Sequence, residues 1–235
     1  MTANPKPSIV FLHGSGTNPD IFRMQTRKLS AHLEPHFTLH YLAAPITCDP
    51  GPGVLPFFEG CEPYLTWMDD SSAEAEAAYW NGDSNGLLGK LVEEIKGLGG
   101  GDGGDVVGLV GFSMGGKVAT EVVRRLEAAG DRRVKVVVPV CATVPLQGGL
   151  VKGGGKDETK EKEYREILAR GVARAESVHL IGERDPWRSQ SEMLVDFYDE
   201  KGRSVIRFKG EHHMPLNDAI NSRVSKIILT ACKIA

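Results

Sequence analysis

The stretch from Val106 to Gly116, VVGLVGFSMGG, begins as a run of strand-forming residues and ends on a serine squeezed between glycines. GKVATEVVRRLEAAG follows, with Val118, Val122, Val123 and Leu126 on one helical face and Gly130 as its stop. Strand, then Gly111-Phe112-Ser113-Met114-Gly115, then helix is the layout of a turn that holds a serine hydroxyl clear of the backbone. A side chain at Gly111 or Gly115 would collide with the neighbouring strand or helix, while Ser113 is forced into a strained conformation. The pentapeptide alone is a weak signal, and its place between strand and helix makes it a strong one.

Outward from this turn, short apolar runs alternate with longer helical patterns, the signature of a parallel sheet with crossover helices. SIVFLHG (8–14), FTLHYLAAP (37–45), DVVGLVGFS (105–113), RVKVVVPVCA (133–142), SVHLIGERD (177–185) and RSVIRFKG (203–210) read as six strands. Helices are expected over DIFRMQTRKLSAHL (20–33), capped by Asp20, over NGLLGKLVEEIKGL (85–98), after the serine, and over 218–234, where Ile220, Val224, Ile227 and Ile228 form one stripe. The glycine run 97–104 precedes a strand, whereas a dinucleotide loop follows one, so it reads as a surface connection. No internal repeat is visible. With 235 residues at 41% hydrophobic, the expectation is a single α/β domain, 1–235, with insertions at about 46–83 and 145–172.

The net charge of −3 gives no electrostatic reason to expect a nucleic acid or an anionic membrane as partner. The first apolar run, Ile9 to Leu12, is too short for a signal peptide's hydrophobic core, and no segment approaches the roughly 20 apolar residues of a membrane span. Cys48, Cys61, Cys141 and Cys232 form neither a CxxC pair nor a zinc-like spacing with histidines. The expectation is a cytosolic protein with reduced thiols, no metal and no cofactor.

A serine hydroxyl needs a base to take its proton and a third group to orient that base. In a sheet of this kind the acid and the histidine follow the serine in sequence, each in a loop after a strand. Asp185 lies just past SVHLIGE, although an aspartate before a proline also simply initiates turns. His212 and His213 lie past RSVIRFKG, and being adjacent they point in different directions, so only one can serve. His32, His36 and His40 lie upstream and read as structural or solvated. The oxyanion of acyl transfer needs donors, for which the backbone amide of Met114 and one from the loop HGSGTN, that of Ser15, are placed. That loop lacks the lysine and the third glycine of a phosphate loop.

FLHGSGTNPDIFRMQT, VGFSMGG, IGERDP and GEHHMP together resemble the four signature blocks of the fungal serine hydrolase (FSH) family of α/β-hydrolases, nearly end to end. The resemblance implies an α/β-hydrolase fold, a mostly parallel central sheet with helices on both faces and lid-like insertions. It implies Ser113 as nucleophile, Asp185 as acid and His212 as base, since the family's block reads Gly-x-His-x-x-Pro and ends here at Pro215. Met114 stands where many members carry glutamine, a change that bears on pocket shape and leaves the backbone amide in place. Members include esterases and thioesterases that release polyketides from a synthase's carrier protein. Similar chemistry is implied here, on a small-molecule ester or thioester with an acyl carrier protein as its expected presenter. The alternatives are a short-chain carboxylesterase and a non-catalytic binding protein of the same fold, which usually lacks a triad member.

The irregular stretch Ile46 to Trp80 holds six of the chain's 16 aromatics: Phe57, Phe58, Tyr64, Trp67, Tyr79 and Trp80. They read either as a small core beneath a long loop or as a lid and acyl-pocket wall, with Phe57, Phe58 and Trp67 as the pocket residues. The second insertion is glycine-rich and then charged, and is expected to be a loop running into a solvated helix near the site.

Overall fold

The computed structural model describes residues 5–69, 86–98, 104–145 and 172–234, with positions 75, 79, 162, 165, 166 and 168 between them. All six expected strands form, as β1 (Ser8–Leu12), β2 (Thr38–Leu42), β5 (Val106–Phe112), β6 (Val136–Val140), β7 (Glu176–Gly182) and β8 (Arg203–Phe208). They join in one wholly parallel sheet in the order β2-β1-β5-β6-β7-β8. A short antiparallel pair, β3 (Ile46–Thr47) with β4 (Leu65–Thr66), stands apart from it and was not legible as strands in the irregular stretch.

The described helices are α1 (Pro19–Gln25), α2 (Arg27–Leu33), α3 (Leu87–Leu98), α4 (Met114–Ala128), α5 (Arg188–Leu194) and α6 (Asp218–Ala231). Because successive strand side chains point to opposite faces, Ile9 and Phe11 of β1 enter one core while Val10 and Leu12 enter the other. Phe22, Leu29, Leu33, Val224 and Ile228 bring α1, α2 and α6 onto the first face. Leu88, Leu91, Val92 and Ile95 of α3, with Val118, Val122, Val123 and Leu126 of α4, cover the second. The inner strands β1, β5, β6 and β7 are buried on both faces and read as nearly continuous apolar runs, whereas the edge strands β2 and β8 are partly exposed and carry polar residues.

The segment 20–33 is two helices and not one. The first begins at Pro19, and its cap is Asn18, whose side chain accepts from the Ile21 N–H; Asp20 sits within the first turn. Proline at the first helical position moves the start upstream, since its missing N–H needs no partner there. The break falls at Thr26, whose hydroxyl donates to the Phe22 carbonyl and meets the Tyr41 hydroxyl at 2.8 Å. α5 was not anticipated either. Most of the 145–172 insertion, and Trp80 of the aromatic stretch, lie outside the described residues.

Candidate active site

The loops after β1, β5, β7 and β8 gather at the carboxyl end of the sheet, the place where open parallel sheets bind ligands. Ser113 stands between β5 and α4 with φ 52° and ψ −119°, in the left-handed half of backbone space that side chains seldom adopt. Its N–H is held by the Val140 carbonyl at 2.9 Å, and its own carbonyl accepts from Gly116 at 3.0 Å. A Cβ at Gly111 would strike the Gly115 carbonyl, and one at Gly115 would strike the carbonyls of Leu12 and His13. The turn is therefore closed to any larger residue at the positions two before and two after the serine.

Three side chains form a relay. His212 Nε2 lies 2.9 Å from Ser113 Oγ, and His212 Nδ1 lies 2.9 Å from Asp185 Oδ2. A carboxylate can only accept, so Nδ1 carries the ring proton and donates it to Asp185, leaving Nε2 to accept from the serine hydroxyl. The other carboxylate oxygen of Asp185 accepts from the Trp187 N–H at 2.8 Å, so the turn role and the orienting role coexist in one residue. Burial pushes the Asp185 carboxyl up, but the hydrogen bonds from His212 and the Trp187 N–H outweigh it and hold the group below its ordinary value. Trp187 and Phe112 pack on the imidazole with ring centres at 4.6 Å and 4.9 Å; their places two residues after the aspartate and next to the serine are the only sequence signal for either. His213 instead meets the Met214 carbonyl at 2.9 Å and packs on Phe208, and its ring is bonded to neither Ser113 nor Asp185. His32 and His40 bond Asp218 and Ser8, away from the relay.

The loop carrying Ser15 is tied down by its neighbours: Gly16 donates to the Leu65 carbonyl at 2.9 Å, Leu65 to Thr17 at 2.8 Å and Gly51 to Gly16 at 3.0 Å. The Ser15 N–H takes part in none of these bonds, and the Met114 N–H opens α4, where a helix has no partner for its first amides. Beneath the loop lies His13, fully buried and not singled out from the sequence. The Ala44 N–H donates to its Nε2 at 3.1 Å, so its proton sits on Nδ1, 2.8 Å from the Gly14 carbonyl. Burial drives its pKa down to about 4, which keeps this ring neutral.

Ser113 and His212 open onto a cavity of about 840 Å³, within the range of small-molecule sites. Its apolar wall includes Met24, Val54, Phe58, Phe112, Trp187 and Leu216. Of the three aromatics expected there, only Phe58 lines it. Phe57 is 84% exposed, and Trp67 is 2% exposed in the core, donating its indole N–H to the His13 carbonyl at 2.7 Å. Tyr64 packs with Ile21 and Val54 as a small core under the loop, its hydroxyl on the Phe58 carbonyl at 2.6 Å. Tyr64 and Trp67 thus pack as core, Phe58 borders the cavity and Phe57 faces solvent, because the loop has no repeat that fixes which way a side chain points.

Cys141, also at positive φ, sets its sulfur 3.7 Å from the Glu211 carbonyl and 3.8 Å from that of His213, bracketing His212 from below. With Asp185 and His212 it makes the group of described residues whose ligand atoms, all within 4.8 Å, come close enough to hold a metal. The chemistry fits a relay better: His212 and Asp185 already share a proton, and burial pushes the thiol up to about 12, far from the thiolate a metal takes.

Sheet, turn and relay define a serine hydrolase of the α/β-hydrolase fold. The chain belongs to the serine hydrolase (FSH1) family, whose profile matches residues 1–224. Among its relatives is esterase FUS5 of Gibberella fujikuroi, 27% identical over 95% of this chain and 86% of that one. Another is the dihydromonacolin L-[lovastatin nonaketide synthase] thioesterase of Aspergillus terreus, 29% identical over 95% of this chain and 93% of that one. An esterase from the archaeon Pyrobaculum calidifontis shares the fold with a TM-score of 0.66 at 13% identity, over 99% of this chain and 77% of that one. No helix among the described residues is long and apolar enough to cross a membrane.

Proposed function

We propose that the protein hydrolyses carboxylic thioesters and esters through an acyl-enzyme on Ser113. His212 Nε2 takes the hydroxyl proton as Ser113 Oγ bonds to the acyl carbon, and the carbonyl oxygen, now an oxyanion, accepts from the Ser15 and Met114 N–H groups. Collapse expels the thiol or alcohol, which leaves with the proton held by His212. Water then repeats the sequence: His212 takes its proton, the acid is released, and Ser113 regains its hydrogen. Asp185 keeps the imidazole in the tautomer that both halves need. The observation that carries this reading is the unbroken relay of two 2.9 Å hydrogen bonds at the mouth of the cavity.

The favoured substrate is an acyl or polyketide chain presented as a thioester by a carrier protein. The named activity of the Aspergillus terreus relative supports this, as does an apolar cavity large enough for more than a short acyl group. A cytosolic setting agrees with four cysteines that form no disulfide. A fluorophosphonate tests the mechanism: wild type should gain one label, by intact mass, and Ser113→Ala none, whereas equal labelling of the variant overturns the assignment. Specificity constants for acyl thioesters of two to twelve carbons test the substrate. They should rise with length, by up to about 0.8 kcal/mol per buried methylene, until the cavity is filled. A flat profile favours a short-chain carboxylesterase.

A further inference from the structure

The two amides proposed to hold the oxyanion come from separate parts of the chain. Ser15 follows β1, Met114 opens α4, and among the described residues no backbone hydrogen bond joins the Ser15 loop to the Ser113 turn. The bonds of the first run to Leu65, Thr17 and Gly51, and those of the second to Val140 and along α4. The roots of the two segments are joined by the pairing of Leu12 with Gly111 and by Gly115 packed under the Leu12 and His13 carbonyls. At the level of Ser15 and Met114 themselves, one side chain from the hairpin that the sequence did not reveal touches both. The Ser15 hydroxyl donates to Thr66 Oγ1 at 3.1 Å, and Thr66 Oγ1 lies 3.2 Å from Met114 Sδ and 3.2 Å from the Met68 carbonyl. Thr66 is 5% exposed, so water does not substitute for these partners.

We infer that Thr66 is a positioning residue that sets the spacing of the Ser15 and Met114 amides. The proton count is consistent: Ser15 gives its hydrogen to Thr66, which leaves the single Thr66 hydrogen for the Met68 carbonyl or the Met114 thioether. The hydroxyl is thus anchored on β4, and the two residues it touches carry the donors. Oxyanion donors act at 2.7–3.1 Å from the oxygen as it will be in the transition state, so a shift of a few tenths of an ångström between them weakens that state more than the bound substrate. The contact also gives Met114 a role its backbone alone does not have, since its soft, flexible thioether seats against the hydroxyl. This inference rests on the acyl-transfer reading above.

The test uses Thr66→Val, which keeps the shape and removes the hydroxyl, with Thr66→Ser as rescue. In Thr66→Val, kcat should fall about 10- to 100-fold, less than or equal to the loss of a whole oxyanion donor, with KM within about twofold. Affinity for a trifluoromethyl ketone, which adds the serine and forms an oxyanion, should fall by the same factor, while that for the matching methyl ketone should hold. Thr66→Ser should recover kcat to within about threefold of wild type. Unchanged kcat, a loss confined to KM, or equal weakening of both ketones would overturn the inference. Should Thr66→Val fail to fold, Ser15→Ala removes the donor to Thr66 from a part-exposed position. It should lower kcat and trifluoromethyl ketone affinity together, and unchanged values of both would reject the role. A wild type that takes no fluorophosphonate label at Ser113 would instead refute the underlying acyl-transfer reading, a separate result read on a different protein.

Discussion

The relay and the segment from Ile46 to Asp69 border one cavity but differ in how their residues are aimed. Ser113, Asp185 and His212 each follow a strand of the parallel sheet, so the register of β5, β7 and β8 brings their side chains together. In the other segment only Leu65 and Thr66 pair with Ile46 and Thr47, and neighbours such as Phe57 and Phe58 part company, one to solvent and one to the cavity. Position relative to a strand end predicts where a side chain is placed; composition of an irregular loop does not.

The largest effects should therefore fall on the strand-end residues. Asp185→Asn should lower kcat by about 10⁴-fold, because an amide stabilises the wrong imidazole tautomer. His213→Ala should retain most of the wild-type rate, since its ring bonds Met214 and not the relay. Comparable losses at His213 and His212 would erase the contrast between the two neighbours.

Trp67→Ala comes next, as a loss of stability of about 3–5 kcal/mol in chemical denaturation, from a cavity in the core and an orphaned His13 carbonyl. The same substitution at Phe57 should shift stability by less than about 0.5 kcal/mol. A small effect at Trp67 would mean the loop, and not the core, holds that ring.

Acid should attack the buried histidines before the relay's carboxylate. His13 and His179 have folded pKa values of about 4 and about 3, against 6.5 when unfolded, in both cases chiefly through burial. Between those values the unfolded chain takes up protons that the folded one refuses, so stability is complete above 6.5 and falls as pH drops toward 4. Each ring should contribute a slope approaching about 1.4 kcal/mol per pH unit in the lower part of that window. Asp185, held below its ordinary 3.8, loses its contribution only under that pH. Denaturation free energies that stay level from pH 6.5 to pH 5 would contradict the burial of neutral rings.

The smallest effect sharpens the cavity wall. Phe58→Ala should flatten the rise of kcat/KM with acyl length by about tenfold at the long end, while Phe57→Ala should leave the profile within about twofold of wild type. Equal flattening in both would place Phe57 on the substrate after all.

The sequence by itself determined the six strands, the long helices α4 and α6, and the turn at Ser113. These depend on periodicity and on glycines that only one backbone geometry requires, and both are local properties of the chain. It narrowed the acid to Asp185 and the base to two neighbours, and the family resemblance then pointed to His212. Only the tertiary structure decided that His212 reaches Ser113 while His213 turns to Met214, that Trp67 props the Ser15 loop from inside the core, and that Thr66 joins Ser15 to Met114. Apart from the turn of His213 to its neighbour Met214, each of these is a contact between segments far apart in sequence, Thr66 and Met114 by 48 residues and Ser113 and His212 by 99, and no local pattern records which side chains such segments present to one another.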